Sequence, residues 1–177
     1  MTVTLTRKGR VKLAATIDLP MSVHRLWAEI ADLPRFAVHD FFHARFELPQ
    51  GRLEAGAPLV IRHSYLGIAI HRTGRVLHYE PGVGYSFSDL SRRSKTAGFP
   101  HVFTYRIEPM TAWQSRLRLE VRGRWTIMWL PRWLARLWLR VVFLQIVTAV
   151  ENELLWCCPR GAKWRLNEDS RCQRLQV

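Results

Sequence analysis

Seven histidines, three cysteines and 14 acidic residues are the chain's stock for metal binding, nucleophilic attack and proton transfer. His24, His39, His43, His63, His71, His78 and His101 make no HxH or HExxH pattern and no Cys/His ligand spacing, so no metal site is expected. Cys157 and Cys158 are adjacent, Cys172 lies in a polar stretch, and no Cys-x-x-Cys supports a redox pair. Gly82-Val-Gly84 sits in a turn and does not open a dinucleotide fingerprint, and there is neither a P-loop nor a GxSxG elbow. No cofactor is therefore expected. What is left is acid–base chemistry by single polar residues on apolar strand faces. By alternation, Asp89 shares a face with Tyr85 and Phe87, Tyr105 with Phe103 and Ile107, and His63 with Ile61 and Tyr65. A group buried there would have a perturbed pKa and could polarise an enolate or phenol. Lone polar residues in such places are more often satisfied core or rim groups, so Asp89, Tyr105 and His63 are weak catalytic candidates.

These residues need strands to hold them. From Arg10 to Leu19 the chain alternates, with Val11, Leu13, Ala15, Ile17 and Leu19 on one side, which predicts a half-buried strand. Ser22 is placed to cap a helix through about Ala31, with Val23, Leu26, Trp27 and Ile30 as its apolar stripe, and a second short helical turn follows near Pro34. Strands are expected over 40–48, 58–65, 68–79, after the turn at 80–84, and over 101–108 and 113–125, with the longest loop at 91–100. In the last strand Leu117, Leu119, Val121, Gly123 and Trp125 face one way and Arg116, Arg118, Glu120, Arg122 and Arg124 the other. With Arg106, Arg10 and Lys12 on neighbouring strands, that outer face is strongly basic. Hairpin-length connections throughout imply one antiparallel sheet, an α+β domain.

The longest helical run is Pro131 to Trp156, 26 residues or about 39 Å, with proline at a first helical position. It is apolar around most of its girth and so needs cover on more than one side. Its longest uncharged stretch, Val141 to Val150, is ten residues against the ~20 a bilayer needs; a transmembrane span is not expected. Arg132, Arg136 and Arg140 crowd its N-terminal half and Glu151 and Glu153 its C-terminal end, against the helix dipole by ~0.3–1 kcal/mol each. They are either a solvated stripe or a row facing an external anion such as lipid headgroups.

The 177 residues fit one domain, and 48% hydrophobic content excludes wholesale disorder. Twenty-seven Lys+Arg against 14 Asp+Glu leave +13, a balance that favours anionic partners. An odd cysteine count and an N-terminus without an apolar run suggest a reducing, cytoplasmic setting, with a place at the membrane periphery in view. Residues 1–9 read as a basic leader, 10–156 as the domain, and 157–177 as a polar basic tail. Nucleic acid is not an expected partner: the tryptophans occupy the apolar phase, so no stacking platform lies among the arginines. An anionic membrane fits better, since Trp125, Trp129, Trp133 and Trp138 lie beside Arg124, Arg132, Arg136 and Arg140. Oligomeric state is open.

The segments ATIDLPMSVHRLWAEIADLPRF (15–36), GRLEAGAPLVIRH (51–63) and GRVLHYEPGVGYSF (74–87), with the closing helix, together resemble the START-like or SRPBCC superfamily, in particular its polyketide cyclase/dehydrase and lipid-transport branch. The resemblance implies a helix-grip fold: a curved antiparallel sheet of about seven strands around the long C-terminal helix, two short helices after the first strand, and apolar room between sheet and helix. It implies binding, or transport, of a small hydrophobic ligand such as a lipid, polyketide or quinone. The alternatives are a cyclase- or aromatase-like enzyme on the same fold and a peripheral membrane module. The expected lining is Trp27, Ile61, Tyr85, Phe87, Phe103, Tyr105, Leu119, Trp125, Trp138 and Val141, with Arg132, Arg136 and Arg140 turned to an anionic surface.

Overall fold

Residues 1–9, expected as a leader ahead of the domain, instead begin the sheet. Thr2–Leu5 is strand β1, paired antiparallel with β2 (Arg10–Leu19). The computed structural model describes residues 1–36, 43–65, 68–89, 99–127 and 130–156; the expected tail at 157–177 and most of the expected long loop lie outside these. After β2 come α1 (Val23–Ile30), α2 (Leu33–Phe36), β3 (His43–Glu47), β4 (Pro58–Tyr65), β5 (Ile68–Glu80), β6 (Gly84–Ser88), β7 (His101–Thr111), β8 (Gln114–Arg124) and α3 (Arg132–Trp156). The strands form one eight-stranded sheet in the order β1-β2-β8-β7-β6-β5-β4-β3, every adjacent pair antiparallel. The α+β architecture is the expected one, with β1 as the added strand.

The period-two pattern sorts the sheet into two faces. β2 and β8 pair along their whole length, from Arg10 opposite Arg124 to Leu19 opposite Ser115. On the inner face Leu13, Ile17, Leu117, Leu119 and Val121 are all buried. On the outer face Arg116 grips Asp18 two-handed, Nε to Oδ1 at 2.6 Å and Nη2 to Oδ2 at 2.9 Å. Glu120 sits among Lys12, Arg118 and Arg122. Partial burial pushes its carboxyl up, but Arg122, Lys12 and Arg118 hold it below the ordinary range.

Ser22 caps α1 as expected, its side chain accepting from the Arg25 amide. Leu26, Ile30, Leu33 and Phe36 drive α1 and α2 into the inner face, and the Ser115 hydroxyl donates to the Met21 carbonyl at 2.8 Å, tying the entry of α1 to β8. α3 lies along β1 and β2 and buries one stripe: Ala135, Leu139, Phe143, Ile146, Val150 and Leu154. The cover expected on its other sides is not there among the described residues, and Trp133, Leu137, Val141 and Leu144 are exposed.

One glycine decides how closely β5 and the end of β6 approach. A Cβ on Gly74 would lie 1.9 Å from the Ser88 carbonyl oxygen and 3.4 Å from Asp89 Cα. Just beyond it the ladder is bulged, with Leu77 unpaired between Val76 opposite Phe87 and His78 opposite Ser86. Gly74→Ala should therefore cost about 3 kcal/mol, the upper end for overpacking. Gly51→Ala, in open space but at φ 68°, should cost only the left-handed strain of ~1–2 kcal/mol. Urea midpoints of the two variants test this; equal losses would remove the close-approach argument.

Candidate functional site

The inner face of β6 and β7 is floored with rings. Phe87 and Phe103 stack at 5.8 Å, Phe103 and Tyr105 at 5.2 Å, and Tyr85 tilts against Tyr105 at 5.2 Å. Phe46 meets Phe87 edge-on from β3, and Phe36 meets Tyr105 edge-on from α2. Trp27 closes one end against Tyr79 and Tyr85. These contacts run at the separations where edge-to-face and offset stacking are favourable. The floor rings form one contiguous buried core with the buried stripe of α3. Tyr85 is wholly buried, and its hydroxyl donates to the Ile30 carbonyl at 2.9 Å. Burial, then the neighbouring Tyr105 and Asp32, pushes its phenol well above the ordinary range. It is a fixed neutral donor and cannot serve as a base.

At the far end of the floor the chemistry changes. Arg72 stands opposite Ile61 in the β4–β5 ladder and so shares its inward face. Its side chain is only 10% exposed, and Nη1 lies 2.6 Å from Asp89 Oδ2, on a side chain 1% exposed. The other carboxylate oxygen, Oδ1, accepts from the His101 amide at 2.8 Å. His101 Nδ1 is 2.7 Å from the Phe99 carbonyl and 3.5 Å from Asp89 Oδ2. Both neighbours are acceptors, so Nδ1 carries the ring proton. The His101 ring stacks on Phe99 at 5.1 Å and abuts Phe103 at 6.2 Å. One donor is unspent: Arg72 Nε is buried with no hydrogen-bond partner among the described residues. A buried guanidinium N–H without an acceptor is costly and needs a reason.

The inward placement of Ile61, Tyr85, Phe87, Phe103, Tyr105, Leu119 and Trp125 matches their strand phases, all being buried in the core. Trp27 is half-buried at its edge. Trp138 is 39% exposed, although its ring meets Trp125 at 5.7 Å. Val141 does not line the interior: it is 47% exposed, on the side of α3 away from the sheet, and Leu139 and Phe143 take the inward positions. Asp89 is joined to a charged partner, while Tyr105 is set among rings. His63 pairs through its backbone with Ile70 and His43; its side chain lies outside the described residues, as does Trp129. Arg132, Arg136 and Arg140 are exposed, Arg136 also donating to the Leu5 carbonyl at 3.5 Å. Arg72 and His101 were missed. The signal for Arg72 is its phase with Ile70 and Val76 along β5.

The pair predicts a non-additive mutant cycle. Asp89→Leu strands a buried guanidinium and should cost about 3–5 kcal/mol, whereas Arg72→Met with Asp89→Leu should recover most of that loss. Additive losses in denaturant melts would show that the two charges are not coupled.

No protein-family model matches the chain, and no curated protein matches it. Solved structures do. A START superfamily protein from Mycobacterium smegmatis superposes with a TM-score of 0.63 at 10% identity, over 82% of this chain and 97% of that one. Zhui aromatase/cyclase from Streptomyces sp. R1128 gives 0.60 at 16% identity, over 82% and 94%. Ara h 8.0201 gives 0.59 at 14%, over 84% and 99%. Each superposition runs over more than four fifths of this chain, and with its antiparallel sheet, two short helices and long C-terminal helix the chain has the START-like, helix-grip fold.

Proposed function

We propose that the chain binds a small hydrophobic ligand on the inner face of its sheet and holds it by a neutral oxygen acceptor, a ketone or quinone carbonyl, at Arg72. The observation that carries this is the buried Arg72 Nε–H without an acceptor among the described residues, beside an aromatic floor. The pair formed by Arg72 and Asp89 is already electrically balanced. A ligand carboxylate would leave the cluster net negative in a poorly solvated place, a large penalty. A carbonyl takes the spare N–H and leaves the charge balance alone. Affinity then comes from apolar burial at ~25 cal/mol per Å², and orientation from one charge-assisted hydrogen bond. Because the floor rings are sealed, the ligand exchanges ring–ring contacts for ring–ligand contacts, preserving close packing.

Binding is favoured over cyclase-like turnover by the state of the acid. Both oxygens of Asp89 are engaged, one by Arg72 and one by the His101 amide. A carboxylate engaged at both oxygens positions the arginine rather than a ligand's proton. That one structural neighbour is named an aromatase/cyclase keeps polycyclic carbonyl compounds among the ligands to try.

Calorimetric titration with 1,4-naphthoquinone, naphthalene and 1-naphthoate tests the reading. The quinone should bind best, and Arg72→Met should weaken it by about ten- to a hundredfold, the range for a hydrogen bond to a charged group, with naphthalene unchanged. Preference for the acid, or a quinone indifferent to Arg72, would overturn it.

A further inference from the structure

The outer face of α3 has a use that ligand binding in the interior does not require. The helix fixes one stripe against the sheet and leaves Trp133 69%, Leu137 52%, Val141 47% and Leu144 52% exposed. Spaced four, four and three apart, these four lie on one side of the rod. Of its most apolar 18-residue window, 28% is buried, so the rest of that window is at least partly exposed. α3 is long and apolar enough to cross a membrane by length and composition, but Leu139, Phe143 and Ile146 are built into the core. A helix so anchored can meet a bilayer only lying along its surface.

Charge selects the occupant. Arg140 borders the apolar row, and Arg132 and Arg136 are exposed two turns and one turn before it, Arg136 braced on the β1 edge through the Leu5 carbonyl. An apolar row with tryptophan, flanked by arginines, matches the headgroup boundary of an anionic bilayer, with aromatic and aliphatic groups at the acyl edge and guanidinium groups on phosphates. A second copy is the poorer fit, since each chain carries +13 and association would bring two such charges together. We propose that the outer face of α3, with Trp133, Leu137, Val141 and Leu144 inserted and Arg132 and Arg140 on phosphates, docks the protein on anionic lipid.

The test is co-sedimentation with phosphatidylcholine vesicles, with and without phosphatidylglycerol, plus sedimentation velocity of the protein alone. The protein should be monomeric and bind only the anionic vesicles. Arg132→Gln with Arg140→Gln should weaken partitioning by about thirtyfold, from ~1 kcal/mol per charge. Trp133→Ser with Leu137→Ser should weaken it at least about tenfold; circular dichroism checks that these surface variants are folded. Three outcomes would overturn the proposal: no vesicle binding, binding indifferent to Trp133→Ser/Leu137→Ser (charge attraction by another face), or a lipid-free dimer that the same variant disperses.

Discussion

A guanidinium on the inner face of a sheet cannot be left without its counter-charge, and the geometry around Arg72 and Asp89 follows from that requirement. The two side chains are nearly inaccessible and 2.6 Å apart, so each supplies the counter-charge that water does not reach to replace. Bringing them together takes a glycine at 74, which lets the chain at Ser88 and Asp89 pass against β5. It also takes the His101 amide to engage the second oxygen. The aromatic floor then meets a polar terminus, and an apolar interior acquires a direction.

The sheet separates two kinds of electrostatics. On the outer face Arg116 pairs with Asp18 in water, whereas Glu120, largely buried, sits among three cations. The exposed pair of Arg116 with Asp18 holds register and contributes little else, because solvent screens it. On the inner face the pair of Arg72 with Asp89 sits beside rings, where the same charges interact far more strongly and an unmet donor is expensive.

Much of the fold was legible because β-strands announce themselves with period two. Leu117, Leu119 and Val121 against Arg116, Arg118 and Arg122 left one assignment open, and the strand formed as read. Ser22 capped its helix for an equally local reason. Less legible was β1: Thr2–Leu5 is short, and its partner, residues 11–14, is joined by hydrogen bonds that composition does not reveal. For α3 the difficulty was excess. With apolar residues around most of the girth, helical spacing fits several stripes equally well, so Trp138 and Val141 were assigned inward while Leu139, Phe143 and Ile146 hold the core. Arg72 is hidden because strand arginines ordinarily face water, and the bulge at Leu77 blurs the phase of β5. Asp89 was visible by phase alone, but its role depends on a partner 17 residues away.

The central claim is that Arg72 Nε–H is a donor held ready for a neutral oxygen. Nitrogen-15 NMR of the arginine Nε–H resonances during addition of 1,4-naphthoquinone tests it most directly. The account predicts that the Arg72 resonance moves and its exchange with water slows, while the exposed Arg132 and Arg140 resonances stay in place. A ligand-saturated protein in which Arg72 Nε–H is unmoved would contradict it.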